Sequence, residues 1–137
     1  MSRARTSSRR TSRGSRRPKR SPFDELVLQV LAFRDRREWR QFHNPKDLSI
    51  SISLEAAELL ELFQWKSADE VAGFVADPEG HRRLRWEMAD LLILLISLAD
   101  IVGVDLIAAA SEKLKENDRK YPVTRARGTA RKYHDLR

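Results

Sequence analysis

The residues of this chain best suited to chemistry are four carboxylates, Glu55 and Glu58, then Glu87 and Asp90. Each pair is spaced i,i+3 within an otherwise apolar, helix-forming run. At about 100° and 1.5 Å per residue, such a pair projects from one helix face, one turn apart. On facing helices the two pairs would line a pocket with hard oxygen donors, the ligand set that suits Mg²⁺ or Mn²⁺. The positions at i+4 from Glu55, Glu58 and Glu61 are Leu59, Leu62 and Trp65, and no Lys or Arg lies between Lys46 and Lys66. Unpaired like charges one turn apart destabilise a helix unless a cation joins them. A solvated acidic face is the plain alternative, and the flanking Leu, Ala and Phe argue against it. Glu87 can reach Arg83 at i−4, but Asp90 has only Trp86 and Leu94 one turn away. Zinc would call for His or Cys, which neither run has. A di-iron bundle would need Glu-x-x-His pairs, whereas the histidines are His43, His81 and His134.

The elements that must carry these acids read as helices. Ser21-Pro22 followed by Asp24 supplies an N-cap, a proline at the first helical position and an acid in the first turn. The pattern predicts a first helix from about Phe23 to Gln41, with Leu26, Val27, Val30, Leu31 and Phe33 inward. Asn44-Pro45 breaks it and caps a second, about Lys46 to Trp65. Ser67 with Glu70 is a capping-box pattern opening a short helix through Val75. Asp77-Pro78-Glu79 starts a long one to about Val102, stopped by Gly103, and Asp105 begins the last, through about Lys120. Ser49 to Leu54 alternates like a strand, but it runs into the helix formers Glu55-Ala56-Ala57-Glu58 and is read as helix. The expected fold class is an all-α four-helix bundle. Leu91 to Ile96 is apolar all round, so it must be buried on every side, either at the centre of the bundle or at a subunit interface. Self-association is the expectation.

At 137 residues the chain is expected to form one domain with one modest core. The net charge of +7 belongs to an arm: residues 1–20 hold nine Arg or Lys and no acid, while residues 21–137 hold 18 Arg or Lys against 20 Asp or Glu. The arm, rich in Arg and Ser, cannot offset its own ordering entropy and is expected to be disordered. It offers at most a weak non-specific attraction to nucleic acid. It lacks the apolar face of a transit peptide and the hydrophobic stretch of a secretory leader. No apolar run reaches the roughly 20 residues of a membrane span. The absence of Cys excludes disulfides, thiolate metal sites and cysteine nucleophiles, and fits a cytoplasmic location.

With these residues in view, the sequence resembles the MazG-like all-α nucleoside triphosphate pyrophosphohydrolases. Their Glu-x-x-Glu, spacer, Glu-x-x-Asp pattern reads here as Glu55-Ala56-Ala57-Glu58, 28 intervening residues, and Glu87-Met88-Ala89-Asp90. Glu38 to His43, Glu58 to Lys66, Asn117 through Tyr121-Pro122 and the tail Arg127 to Tyr133 resemble the dCTP pyrophosphatase branch. The likeness spans about residues 23–136, leaving out the arm. It implies a four-helix subunit of a homotetramer that hydrolyses a (deoxy)nucleoside triphosphate, dCTP or a modified analogue, to the monophosphate and pyrophosphate with Mg²⁺. Metal binding carries over onto Glu55, Glu58, Glu87 and Asp90, and substrate contacts onto Trp39, Arg40, Gln41, Phe42, His43 and Trp65. The chain departs from dCTP-preferring relatives at Val30, where they commonly have His, and at Leu94, where they have Tyr. It also has Leu54 where some members carry an extra acid.

For such a reaction Glu61, one turn beyond Glu58, is the candidate to orient or deprotonate water, with an outer ionic role as its alternative. Lys113 and Asn117 share a face of the last helix at i,i+4 and are the candidates to meet a triphosphate. Trp39 and Trp65 offer stacking surfaces worth about 1–3 kcal/mol per base. Two other readings compete. A nucleic-acid-associated helical protein would grip through the arm, and a non-catalytic metal- or nucleotide-binding bundle would bind and release nothing.

Overall fold

The computed structural model describes residues 19–135; residues 1–18 and 136–137, and with them nearly all of the arm, lie outside the described part. Every regular element within it is helical: α1 (Pro22–Asp35), a 3₁₀ turn (Trp39–Phe42), α2 (Pro45–Glu61), α3 (Ala68–Ala76), α4 (Pro78–Val102), α5 (Leu106–Lys120), α6 (Val123–Ala126) and a last 3₁₀ turn (Tyr133–Asp135). The all-α reading holds, and Ser49 to Leu54 is helix. The hydroxyls of Ser49, Ser51 and Ser53 each donate to the carbonyl four residues back, which satisfies them inside the helix.

The caps work as the sequence implies. Ser21 with Asp24, and Ser67 with Glu70, form complete capping boxes at α1 and α3. Asn44 and Asp77 accept from Asp47 N and Gly80 N at α2 and α4, each followed by proline at the first helical position. Gly103 ends α4 in the left-handed region at φ 70°, where a side chain would be strained. Gly80 is required by close approach: a Cβ there would meet the Phe74 carbonyl oxygen at 2.0 Å, so α3 can lie on the start of α4 only over a glycine.

Two helix ends differ from the expected ones. α1 stops at Asp35 and not near Gln41, because Glu38 turns left-handed at φ 56° and sends the chain into the 3₁₀ turn. α2 stops at Glu61 and not at Trp65, which itself is left-handed at φ 64°.

α4 is the spine. α2 makes the most extensive packing on it, α3 lies on its first turns, and α1 packs on it less extensively. Among the described residues the buried apolar side chains are Val30, Leu48, Leu62, Ile96 and Ala99. Phe33, expected inward, is instead exposed, edge-on to Trp39 at 5.8 Å between ring centroids and covered by the Arg37 guanidinium. The apolar run of α4 is not enclosed by its own chain either: Leu92, Ile93 and Leu95 remain well exposed. α5 leaves α4 at 100° and packs broadly on no other helix. Among the described residues no single helix is long and apolar enough to cross a membrane.

Candidate active site

The packing of α2 on α4 brings the two acidic pairs together. Single carboxylate oxygens of Glu55, Glu58 and Glu87 all lie within 4.8 Å of one another. Asp90 stands outside that group but adds its field: burial, then Glu58, Asp90 and Glu87 in turn, push the Glu55 carboxyl above the usual carboxylate range. Among the described residues no Lys, Arg or His forms an ion pair with any of the four. Carboxylates gathered this closely without a counter-charge repel each other, and a divalent cation bound by oxygens removes that repulsion. The donor set therefore fits a hard divalent ion, and its lack of His or Cys disfavours zinc.

Glu61 is exposed and outside this group. Lys113 and Asn117 sit on α5, and among the described residues no hydrogen bond or ion pair joins either side chain to the four acids. In α5 the paired charges are instead Glu116 with Arg119 and Lys120.

The stretch Trp39 to His43 is organised by a charge network that the sequence reading did not identify. Arg34, only 3% exposed, donates from Nε to Asp35 Oδ1 at 2.7 Å and from Nη1 to Asp100 Oδ2 at 2.6 Å. Arg40 donates from Nη1 to the same Asp100 oxygen at 2.9 Å. Both arginines hold the Asp100 carboxyl below its usual range. Gln41 closes the 3₁₀ turn by donating to the Glu38 carbonyl at 3.0 Å. His43 is half-buried, and its Nδ1, shielded from solvent, has no hydrogen-bond partner among the described residues. Burial and the nearby Arg34 guanidinium push its pKa below the ordinary value. Asp100 follows Asp90 by ten residues, about 15 Å along α4. Those ten residues also turn Asp100 about 80° around α4 from Asp90, so the network and the carboxylates lie on different sides of the helix.

The two tryptophans flank opposite ends of α2. Trp39 precedes its N-terminus and Trp65 follows its C-terminus, with about 25 Å of helix between the ends. A single chain thus does not bring both onto one base. Trp65 is 92% exposed on a left-handed residue, a conformation that costs about 1–3 kcal/mol and persists where surroundings enforce it. Here the Phe63–Phe74 edge-to-face pair and Lys66 over the Phe74 ring tie the segment to α3.

An all-helical subunit whose facing helices present Glu-x-x-Glu and Glu-x-x-Asp defines a class, and comparison with known proteins agrees. The MazG-like family profile matches residues 50–136, and the chain belongs to that family. It is 42% identical over 104 residues to dCTP pyrophosphatase 1 of Rattus norvegicus and 40% identical over 104 residues to that of Homo sapiens. Each alignment covers 76% of this chain and 61% of the relative, so the chain spans about three-fifths of the length of these curated relatives. A crystal structure of a pyrophosphatase from Archaeoglobus fulgidus superposes with a TM-score of 0.71 at 39% identity, over 79% of this chain and 99% of that one.

Proposed function

We propose that this protein is a nucleoside triphosphate pyrophosphohydrolase, cleaving a (deoxy)nucleoside triphosphate between the α and β phosphates to give the monophosphate and pyrophosphate. The observation that carries the reading is the uncompensated group Glu55, Glu58 and Glu87 on the α2–α4 face, with Asp90 beside it. The relatives named dCTP pyrophosphatase 1 support dCTP or a modified analogue as substrate.

Glu55, Glu58, Glu87 and Asp90 would hold Mg²⁺, or Mn²⁺ in its place. Bound there, the ion would neutralise phosphate oxygens and acidify a water. The rest falls to side chains. Glu61, one turn beyond Glu58, is the candidate to take a proton from the attacking water. Trp39 to His43 would receive the base and sugar, toward the Asp100 end of α4. Val30 is buried and Leu94 half-buried on the helices that frame this end, so base choice there rests on shape more than on hydrogen bonds.

The active unit is proposed to be a homo-oligomer, a tetramer by its resemblance. Two observations support association: the exposed apolar face of α4, and the placement of Trp39 and Trp65 at opposite ends of α2. Trp65, Lys113 and Asn117 would then serve the site of a neighbouring copy. The test is release of pyrophosphate and monophosphate from a panel of dNTPs and NTPs, with Mg²⁺ and with EDTA. Nucleotide binding without release, in either condition, would favour the non-catalytic bundle instead.

A further inference from the structure

The Arg34–Asp100–Arg40 network lies outside the carboxylate group, and of its three members only Arg40 falls in the stretch proposed above to receive the base and sugar. Arg34 belongs to α1, Asp100 to α4, and Arg40 to the 3₁₀ turn. Among the described residues no other hydrogen bond joins that turn to α4. The turn needs such a tie. It is entered through a left-handed Glu38, a backbone state that a non-glycine residue keeps only when its surroundings over-determine it. The other restraints on the turn are local, namely the Phe33–Trp39 pair, Arg37 over both rings, and Gln41 on the Glu38 carbonyl.

We propose that Asp100 is a positioning residue of the nucleotide site: its Oδ2, shared by buried Arg34 and by Arg40, fixes the Trp39–Phe42 turn against α4 in the shape that receives nucleotide. This deepens the nucleotide reading given above and rests on it. The geometry separates anchoring from direct recognition. Asp100 is an anion and cannot attract a triphosphate; were Arg40 merely a phosphate ligand, Asp100 would compete for it, and removing Asp100 would tighten binding. An anchoring role has the opposite sign.

The test uses the full chain and the variants Asp100→Asn, Asp100→Glu and Arg40→Gln. Each is assayed below its own melting temperature for dCTP turnover with Mg²⁺, and titrated with the non-hydrolysable α,β-imido analogue of dCTP. Asp100→Asn and Arg40→Gln should raise both KM and the analogue Kd roughly tenfold to a hundredfold. kcat should stay within about threefold, and Mn²⁺ binding to the carboxylates should be unchanged. Asp100→Glu should recover part of the loss. The double variant should be no weaker than the worse single one, because both break one tie. Should Asp100→Asn fail to fold, 5-fluorotryptophan labelling of Arg40→Gln reads the nucleotide-free turn directly. A shifted or broadened Trp39 resonance is expected, and an unmoved one overturns the anchor. Analogue affinity unchanged or increased in Asp100→Asn overturns it as well. Because the analogue titration needs no turnover, a wild-type protein that binds but does not hydrolyse would overturn the proposed reaction and leave this test intact.

Discussion

Glu58 on α2 and Glu87 on α4 place carboxylate oxygens within 4.8 Å of each other, with Glu55 sharing the space and no cation among the described residues to part them. Such a cluster destabilises the ion-free protein and gains stability from a divalent cation. Mg²⁺ or Mn²⁺ should therefore raise the melting temperature, by about 2.7 kcal/mol of stability at a hundred times Kd. Glu58→Gln and Glu87→Gln should each abolish that rise. In EDTA the same variants should be as stable as the parent or a few tenths of a kcal/mol more so, since each removes a like charge. Scanning calorimetry with and without metal reads both effects. A loss of stability in EDTA would mark the acids as structural.

The two acidic pairs were legible in the sequence because i,i+3 spacing and the absence of Lys or Arg between Lys46 and Lys66 are local facts, whereas the approach of Glu58 to Glu87 depends on how α2 packs on α4. The caps at Ser21, Asn44, Ser67 and Asp77 were legible for the same reason: each is decided within four residues. The stretch Arg34 to Gln41 was not. Its residues are adequate helix formers, and what ends α1 is a left-handed Glu38 whose surroundings include a partner 60 residues beyond Arg40. The Arg34–Asp100 pair, 66 residues apart, leaves no periodic mark at all. Periodicity placed Phe33 inward, but its ring serves the exposed Trp39–Arg37 stack.

His43 should give stability a pH dependence. Its folded pKa lies below the ordinary 6.5, chiefly through burial and then through Arg34, so the unfolded chain binds the proton more readily. Its contribution is fully present above about pH 6.5 and is lost as pH falls from there through the folded pKa. Urea unfolding at a series of pH values should show this slope, and His43→Gln should flatten it. A slope unchanged by the substitution would assign it to other groups.

Gly80→Ala tests the seat of α3. The new methyl meets the Phe74 carbonyl oxygen, so α3 must lift from α4, at a cost of about 1–3 kcal/mol or more. Gly73→Ala, on α3 next to Phe74 but with open space at its Cβ, should be neutral or slightly stabilising. Urea midpoints distinguish the two.

In the proposed oligomer Trp39 and Trp65, at opposite ends of α2, would meet one nucleotide only across two copies. Trp39→Ala and Trp65→Ala should each weaken nucleotide binding by about 1–3 kcal/mol, the value of a lost stacking surface. Unfolded together and refolded as a mixture, the two variants should regain a statistical share of wild-type sites, because some sites then draw Trp39 from one variant and Trp65 from the other. No recovery on mixing would mean that each chain's site is its own.

The most direct measurement is pyrophosphate release from dCTP and the other nucleoside triphosphates by the full chain, in Mg²⁺ and in EDTA, alongside Glu58→Gln. Equal amounts of monophosphate and pyrophosphate, dependent on metal and lost in Glu58→Gln while the helical fold persists, are the predicted result. Release that continues in EDTA, or survives in Glu58→Gln, would contradict the assignment of the α2–α4 carboxylates as the reaction centre.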